Sequence, residues 1–272
     1  MRVSVATCGP DLDHSPLALL SGTFEERLQK AARLGCDGVE LMVRDPSGVD
    51  WARVGRLLGD SGLEVPQLVT GELFGAEGLC LVTADPEVYR RARERLQAIV
   101  DVAAGLGAIV NIGRARGQLR YLPGGANAWA VALERLGEIA SYAAHQGVRI
   151  ALEPLNRYET DFILTVEDGL RFIEALGCDN VGLMLDLFHM NIEEPSIEGA
   201  LQTAGALVWH VHVADSNRRY PGSGHLDFER ILATLRQMDY RGYLSGEMLP
   251  LPDPDTAAAM TVRFLRAHGV DG

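Results

Sequence analysis

Four residues able to hold a cation each close an apolar run of this chain: Glu153 after 150–152, Asp186 after 181–185, His212 after 208–211 and Glu247 after 242–246. If those runs are parallel strands closed into a barrel, the four side chains converge at the carboxyl end of its axis, where barrel enzymes carry their chemistry. Three carboxylates and one imidazole suit a hard to borderline divalent ion. One ion is expected, Mn2+ first, with Co2+ or Mg2+ as the other choices, ahead of a structural Zn2+, which favours Cys and His. Four protein ligands leave an octahedral ion two positions for a bidentate substrate. One strand-end acid reads equally well as a salt bridge or a helix cap; four on successive strands favour the metal.

Side chains alternate along a strand, so Ala151, Met184, His210 and Ser245 share faces with the four candidate ligands and should fill the layer beneath them. His210 is thereby open between a buried supporting group and a contact of its own.

The elements that must position these residues recur in strand-then-helix order. Apolar runs at 3–7, 38–43, 65–70, 108–112, 148–153, 181–186, 207–213 and 242–247 read as strands, with periodic helical segments between them. Thr23 and Glu26 have the spacing of a capping box ahead of a helix over Phe24–Leu34. A long loop carrying Gly71, Gly75 and Gly78 follows the third strand, and another with Pro123, Gly124 and Gly125 follows the fourth. Eight such units with no second pattern predict the α/β class: a single (β/α)8 TIM barrel, one domain over residues 1–272, close to the roughly 250 residues such barrels use. Helix-to-strand joins are short and strand-to-helix loops long and polar, which assigns function to the latter side.

Composition removes several classes. A net charge of −12 and pI near 5.0 oppose a nucleic-acid partner, because such binding rests on Lys and Arg neutralising phosphates. No apolar run approaches the roughly 18 residues of a membrane span, and the N-terminus begins directly as a strand, so no membrane partner and a cytoplasmic address are expected. Cys8, Cys36, Cys80 and Cys178 form no CxxC pair and read as reduced packing residues. Lys30, the only lysine, lies in the helical run 24–34, which removes Schiff-base and pyridoxal phosphate mechanisms.

The runs Glu153-Pro-Leu-Asn-Arg-Tyr-Glu159, Leu185-Asp-Leu-Phe-His-Met-Asn191 and His210-Val-His-Val-Ala-Asp-Ser-Asn-Arg218, with Pro221-Gly-Ser-Gly-His225 and Gly246-Glu247, resemble the sugar isomerase/epimerase superfamily of xylose isomerase-like TIM barrels. The likeness is nearest to the ketose 3-epimerases that act on D-tagatose and D-psicose. It implies a metal quartet of Glu153, Asp186, His212 and Glu247 and a small-molecule sugar as substrate. Glu153 and Glu247 would be the acid/base pair that epimerises C3 through a cis-enediolate. Glu159, His189 and Arg218 would hold the O1–O2 end of the ketose, and a homodimer or homotetramer is expected.

The likeness breaks where the far end of the sugar would rest: the family's aromatic residues are replaced by Ala6-Thr-Cys8 and Met248-Leu249. Arg44 ends the second strand near the mouth and reads either as a partner for phosphate or carboxylate or as half of an ion pair; Arg114 and Arg116 pose the same choice. The Gly222-Ser-Gly224 loop offers a second place for a phosphate. An aldose–ketose isomerase, an epimerase of a sugar phosphate, and an inosose dehydratase or C-glycoside-cleaving lyase would use the same quartet. An endonuclease IV-like repair enzyme would need more histidines and a basic groove.

Overall fold

Short apolar segments pair side by side through the chain, each strand hydrogen-bonded to the next and the last to the first. The computed structural model describes residues 1–123 and 127–271. Its strands are β1 (Arg2–Cys8), β2 (Gly38–Met42), β3 (Gln67–Val69), β4 (Ile109–Ile112), β5 (Ile150–Leu152), β6 (Val181–Asp186), β7 (Val208–His212) and β8 (Tyr243–Gly246). They form a closed parallel barrel in the order β1 to β8, with β8 returning to β1 from Arg2 opposite Tyr243 to Val5 opposite Gly246. This is the (β/α)8 TIM barrel expected from the alternation of elements.

The surrounding helices are α1 (Phe24–Leu34), α2 (Trp51–Ser61), α3 (Gly71–Glu77), α4 (Pro86–Leu106), α5 (Ala128–His145), α6 (Val166–Leu176), α7 (Leu187–Glu193), α8 (Ile197–Ala204), α9 (Phe228–Gln237) and α10 (Pro254–Ala267). Short polar side chains start most of them. Thr23 caps α1 in a reciprocal box with Glu26, and Asp50, Asp85, Asp227 and Asp253 accept first-turn N–H groups of α2, α4, α9 and α10. None of the described helices is long and apolar enough to cross a membrane.

The period-2 alternation divides each strand between two environments. Val3, Val5, Val39, Leu41, Leu68, Val110, Leu152, Leu185 and Leu244 belong to the large apolar core shared with the helices. Ile109, Ala151 and Met184 pack together in a small separate cluster. The remaining buried strand positions include Ser4, Glu40, Gln67, Asn111, His210 and Ser245, which are polar. Buried polar groups need partners; Glu40, Gln67, Asn111 and His210 find theirs in one another and in the site described next.

Two loops differ from expectation. The Gly71 to Gly78 stretch contains helix α3: Leu73 is fully buried, and Gly78, in the left-handed conformation at φ 66°, closes the helix by donating to the carbonyls of Leu73 and Phe74. Residues 187–193, unassigned in sequence, form α7 because Asp186 caps it, accepting the Phe188 N–H at 2.8 Å. The loop after β4 carries two 3-10 turns, Arg114–Arg116 and Leu119–Tyr121; Gly124 and Gly125 of that loop lie outside the described residues.

Candidate active site

The strand ends deliver three acids and an imidazole to one buried region: Glu153 just past β5, Asp186 and His212 as the last residues of β6 and β7, and Glu247 just past β8. Their exposures are 6%, 1%, 0% and 6%, so water solvates three carboxylates poorly there. Donor atoms of Glu153, Asp186 and His212 all lie within 4.8 Å of one another. Glu247 adjoins them, its Oε2 3.4 Å from His212 Nδ1.

Each donor is held from behind. Asp186 uses Oδ1 as the cap of α7, and its Oδ2 is buried without a hydrogen bond. His212 donates from Nε2 to Glu40 Oε1 at 2.6 Å, leaving Nδ1 buried and unpartnered on the side of the acids. Glu153 Oε2 accepts from Asn111 Nδ2 at 3.1 Å. It also lies against Gly113, where a Cβ would come within 2.2 Å of that oxygen, so any other residue would displace the carboxylate.

Glu40 has no sequence neighbour that marks it, yet it is central. Its two oxygens accept from His212 and from His210 Nε2 at 2.7 Å, and Gln67 adds a third donor at 3.0 Å. His210 is therefore turned to Glu40, in the layer beneath the acids.

Burial is the main force on the acids. It pushes Glu153 up to about 8 against the opposing pull of His212, with Glu247 and Asp186 adding to the rise. It pushes Asp186 up to about 6 although His212 and Arg218 pull the other way. Glu40 goes the opposite way: burial would raise it, but His212 and His210 hold it well below the usual range. His212 is raised, because the carboxylates of Glu40 and Glu247 outweigh burial. A region that resists ionising its own carboxylates lacks positive charge. Two unpartnered donor atoms and that deficit fit a divalent cation. The second group of metal-capable residues, Glu40 with His210 and His212, is closed on itself by hydrogen bonds of 2.6–2.7 Å.

A cavity of about 600 Å³ opens above the acids and is lined by Glu153, Glu159, His189, Arg218 and Glu247 among others. His189 Nδ1 faces the backbone N–H of Asn156 at 3.4 Å and its Nδ2 at 2.7 Å, so Nδ1 accepts and Nε2 carries the proton. That Nε2 lies 3.7 Å from Glu153 Oε1 and 3.6 Å from Asp186 Oδ2. Burial, with Arg218 and His212 adding, holds His189 well below its ordinary range, so it is neutral. Arg218 donates to Glu159 Oε1 at 2.9 Å, reaches to 3.9 Å of Glu247 Oε2 and lies 4.7 Å over the Phe188 ring. Asn156 is 2% exposed and positions both His189 and Glu159.

The arginines near the mouth separate. Arg44 is an ion pair with Glu77 at 3.7 Å and does not line the cavity. Arg116 is fully buried and donates to the carbonyls of Gly113, Glu153, Phe162 and Ile163, so it is structural and meets no ligand. Arg114 lines the cavity. The Gly222-Ser-Gly224 loop is no phosphate cradle: the Asp215 carboxylate fills it, accepting from Gly222 N at 2.8 Å and Leu226 N at 3.1 Å.

The family described as Xylose isomerase-like TIM barrel matches residues 28–268. The chain belongs to that family. L-ribulose 3-epimerase of Methylomonas sp. (strain DH-1) is 34% identical over 219 residues, covering 80% of this chain and 75% of the relative. D-psicose 3-epimerase of Agrobacterium fabrum (strain C58) is 31% identical over 232 residues, covering 82% and 78%. A solved structure of L-ribulose 3-epimerase superposes with a TM-score of 0.83 at 27% identity, covering 98% of this chain and 94% of that one. The relatives of this family member are carbohydrate epimerases, the enzyme class expected from its motifs.

Proposed function

We propose that this protein inverts C3 of a ketose with the help of one divalent cation, Mn2+ first among the candidates. The observation that carries the reading is the pair of buried acids, Glu153 and Glu247, rising from separate walls of the barrel to line one cavity beside unpartnered Asp186 Oδ2 and His212 Nδ1. Glu153, Asp186, His212 and Glu247 would hold the ion. Bound there, it would supply the Lewis acidity that makes a proton next to a ketone removable by a carboxylate.

The chain's own residues do the rest. Epimerisation needs an acid/base group on each face of one carbon, whereas aldose–ketose isomerisation needs only one. Glu153 takes the C3 proton on one face and Glu247 returns one on the other, or the reverse for the opposite epimer. His189, neutral with its proton on Nε2, and the Arg218–Glu159 pair bind the oxygens at the carbonyl end, where Arg218 can only donate. The relatives' names support a ketose as substrate.

The test is exchange. Mn2+-loaded protein given D-fructose in deuterated water should produce the C3 epimer with deuterium at C3, and chelation should stop it. Glu153→Gln and Glu247→Gln should each lower kcat by about 10²- to 10⁴-fold with metal content measured on the same samples. Deuterium at C2 of an aldose product would make it an isomerase, and a new unsaturated carbonyl product a dehydratase.

A further inference from the structure

We infer that the end of the cavity away from the acids is a binding site for an anionic group, a phosphate or carboxylate on the terminal carbon of the ketose. The inference rests on the ketose reading above and narrows the substrate class. Arg114 and Arg120 line the same cavity as Glu153 and Glu247. Their guanidinium groups lie over aromatic rings, Arg114 5.2 Å from the Phe74 centroid and Arg120 5.8 Å from that of Tyr121. Those rings stack on each other, 6.3 Å apart at 23°, so the four side chains form one continuous platform.

Neither arginine has a carboxylate oxygen within 4.0 Å among the described residues. The neighbouring acids are engaged elsewhere. Glu77 is taken by Arg44, Arg91 and Arg95, and Glu159 by Arg218. Asp161 accepts the backbone N–H groups of Leu119 and Arg120 at 2.8 and 2.9 Å, which fixes the turn but leaves the Arg120 side chain alone. Glu72, which lines the cavity and approaches Gly75 as Arg114 does, accepts from Ser15 through Oε1 at 2.6 Å. In a chain of net charge −12, two cations without an ion-pair partner among the described residues therefore face a sugar-sized cavity.

Position strengthens the argument. Gly113 touches Glu153, and Arg114, the next residue, lines the same cavity. A neutral hydroxymethyl group gains little from two guanidinium groups, whereas a phosphate or carboxylate accepts charge-assisted, bidentate hydrogen bonds from them. The glycine loop after β7, the other phosphate candidate, is filled by Asp215. The anion must be met at Arg114 and Arg120.

The experiment compares calorimetric affinities of the Mn2+-loaded protein for D-fructose, D-fructose 6-phosphate and D-fructuronate, with C3 exchange followed on each. At least one anionic ketose should bind about tenfold or more tighter than D-fructose. That ratio should fall toward one in the Arg114→Gln/Arg120→Gln double variant, and the advantage should shrink with added salt. The tighter of the two anions names the source of the charge. Using a ratio within each protein cancels any general loss in the variant. Equal affinity for charged and neutral sugars, or a preference unchanged in the double variant, overturns the inference, while C3 exchange on D-fructose would leave the epimerase reading standing. The converse, an arginine-dependent preference with no C3 exchange on any of the three, would keep the anion site and sink the epimerase.

Discussion

Glu40 determines which nitrogen His212 presents to the acids. By accepting from Nε2 it keeps a proton on that nitrogen, so that when His212 gives up its other proton the lone pair exposed is on Nδ1, which faces Glu153, Asp186 and Glu247. A neutral amide cannot accept from both histidines with two carboxylate oxygens. Glu40→Gln should therefore weaken Mn2+ binding by about 10- to 100-fold, the usual effect of losing such a partner, while kcat at saturating Mn2+ falls far less. A metal titration with activity measured along it separates the two; unchanged metal affinity would leave Glu40 a purely structural group. The four strand-end residues were legible because each closes an apolar run. Glu40 was not, since Val39-Glu40-Leu41 looks like any amphipathic strand. Its signal lay in pairing: in a strand buried on both sides, an acid requires a partner, and His210 on the face of His212 could supply one.

At the scale of elements, the loops that follow β4 and β5 are joined by Gln118 and Asp161 near the surface and by Arg116 in the interior. Arg116 sends Nη1 to the carbonyls of Gly113 and Glu153 and Nη2 to those of Phe162 and Ile163, with its guanidinium 5.3 Å over the Phe162 ring. It thereby holds the backbone of Glu153 against that of Gly113, the residue its carboxylate touches. Arg116→Met would leave the Glu153 carbonyl buried and unpaired and that of Phe162 with only the 3.5 Å contact of Thr160, while Gly113 and Ile163 keep the backbone N–H groups of residue 116 and Leu155. The expected loss is about 2–3 kcal/mol in urea unfolding, with a drop in activity from the shifted Glu153. A loss under about 1 kcal/mol would show that the loops hold their shape without it. Sequence leaves Arg116 indistinguishable from Arg114 two residues earlier, because which of them turns inward depends on carbonyls contributed from residues 153–163. Local signals did better: the Thr23–Glu26 box and Gly35 place both ends of α1. Where three glycines suggested a loop, Gly78 instead closes a helix, and the burial of Leu73 against the barrel outweighed the cost of about 1 kcal/mol for Gly75 inside α3.

For the whole molecule, eight repeated units made the barrel legible, since the pattern needs only periodicity and turn residues. What periodicity cannot supply is the charge balance of the interior, and that balance governs how folding, ion and pH are linked. Glu153 and Asp186 are raised to about 8 and about 6, chiefly by burial. A carboxyl raised in the folded chain binds its proton more tightly than in the unfolded one. Its contribution to stability is present below the ordinary carboxyl value near 4.5 and is lost as pH climbs through the folded value, for Glu153 between about 4.5 and 8. An ion needs both groups ionised and His212 neutral, so its binding expels protons and strengthens as pH rises, by up to about tenfold per unit for each ligand proton still in place. The two trends oppose each other, and the gap between them is measurable. The melting temperature of chelated protein should fall from pH 6 to pH 8 relative to that of Mn2+-loaded protein, so that the stabilisation by Mn2+ grows over this interval. A gap that stays constant or narrows from pH 6 to 8 would mean that the ion displaces no protons from Glu153 and Asp186, and that the cation is held elsewhere.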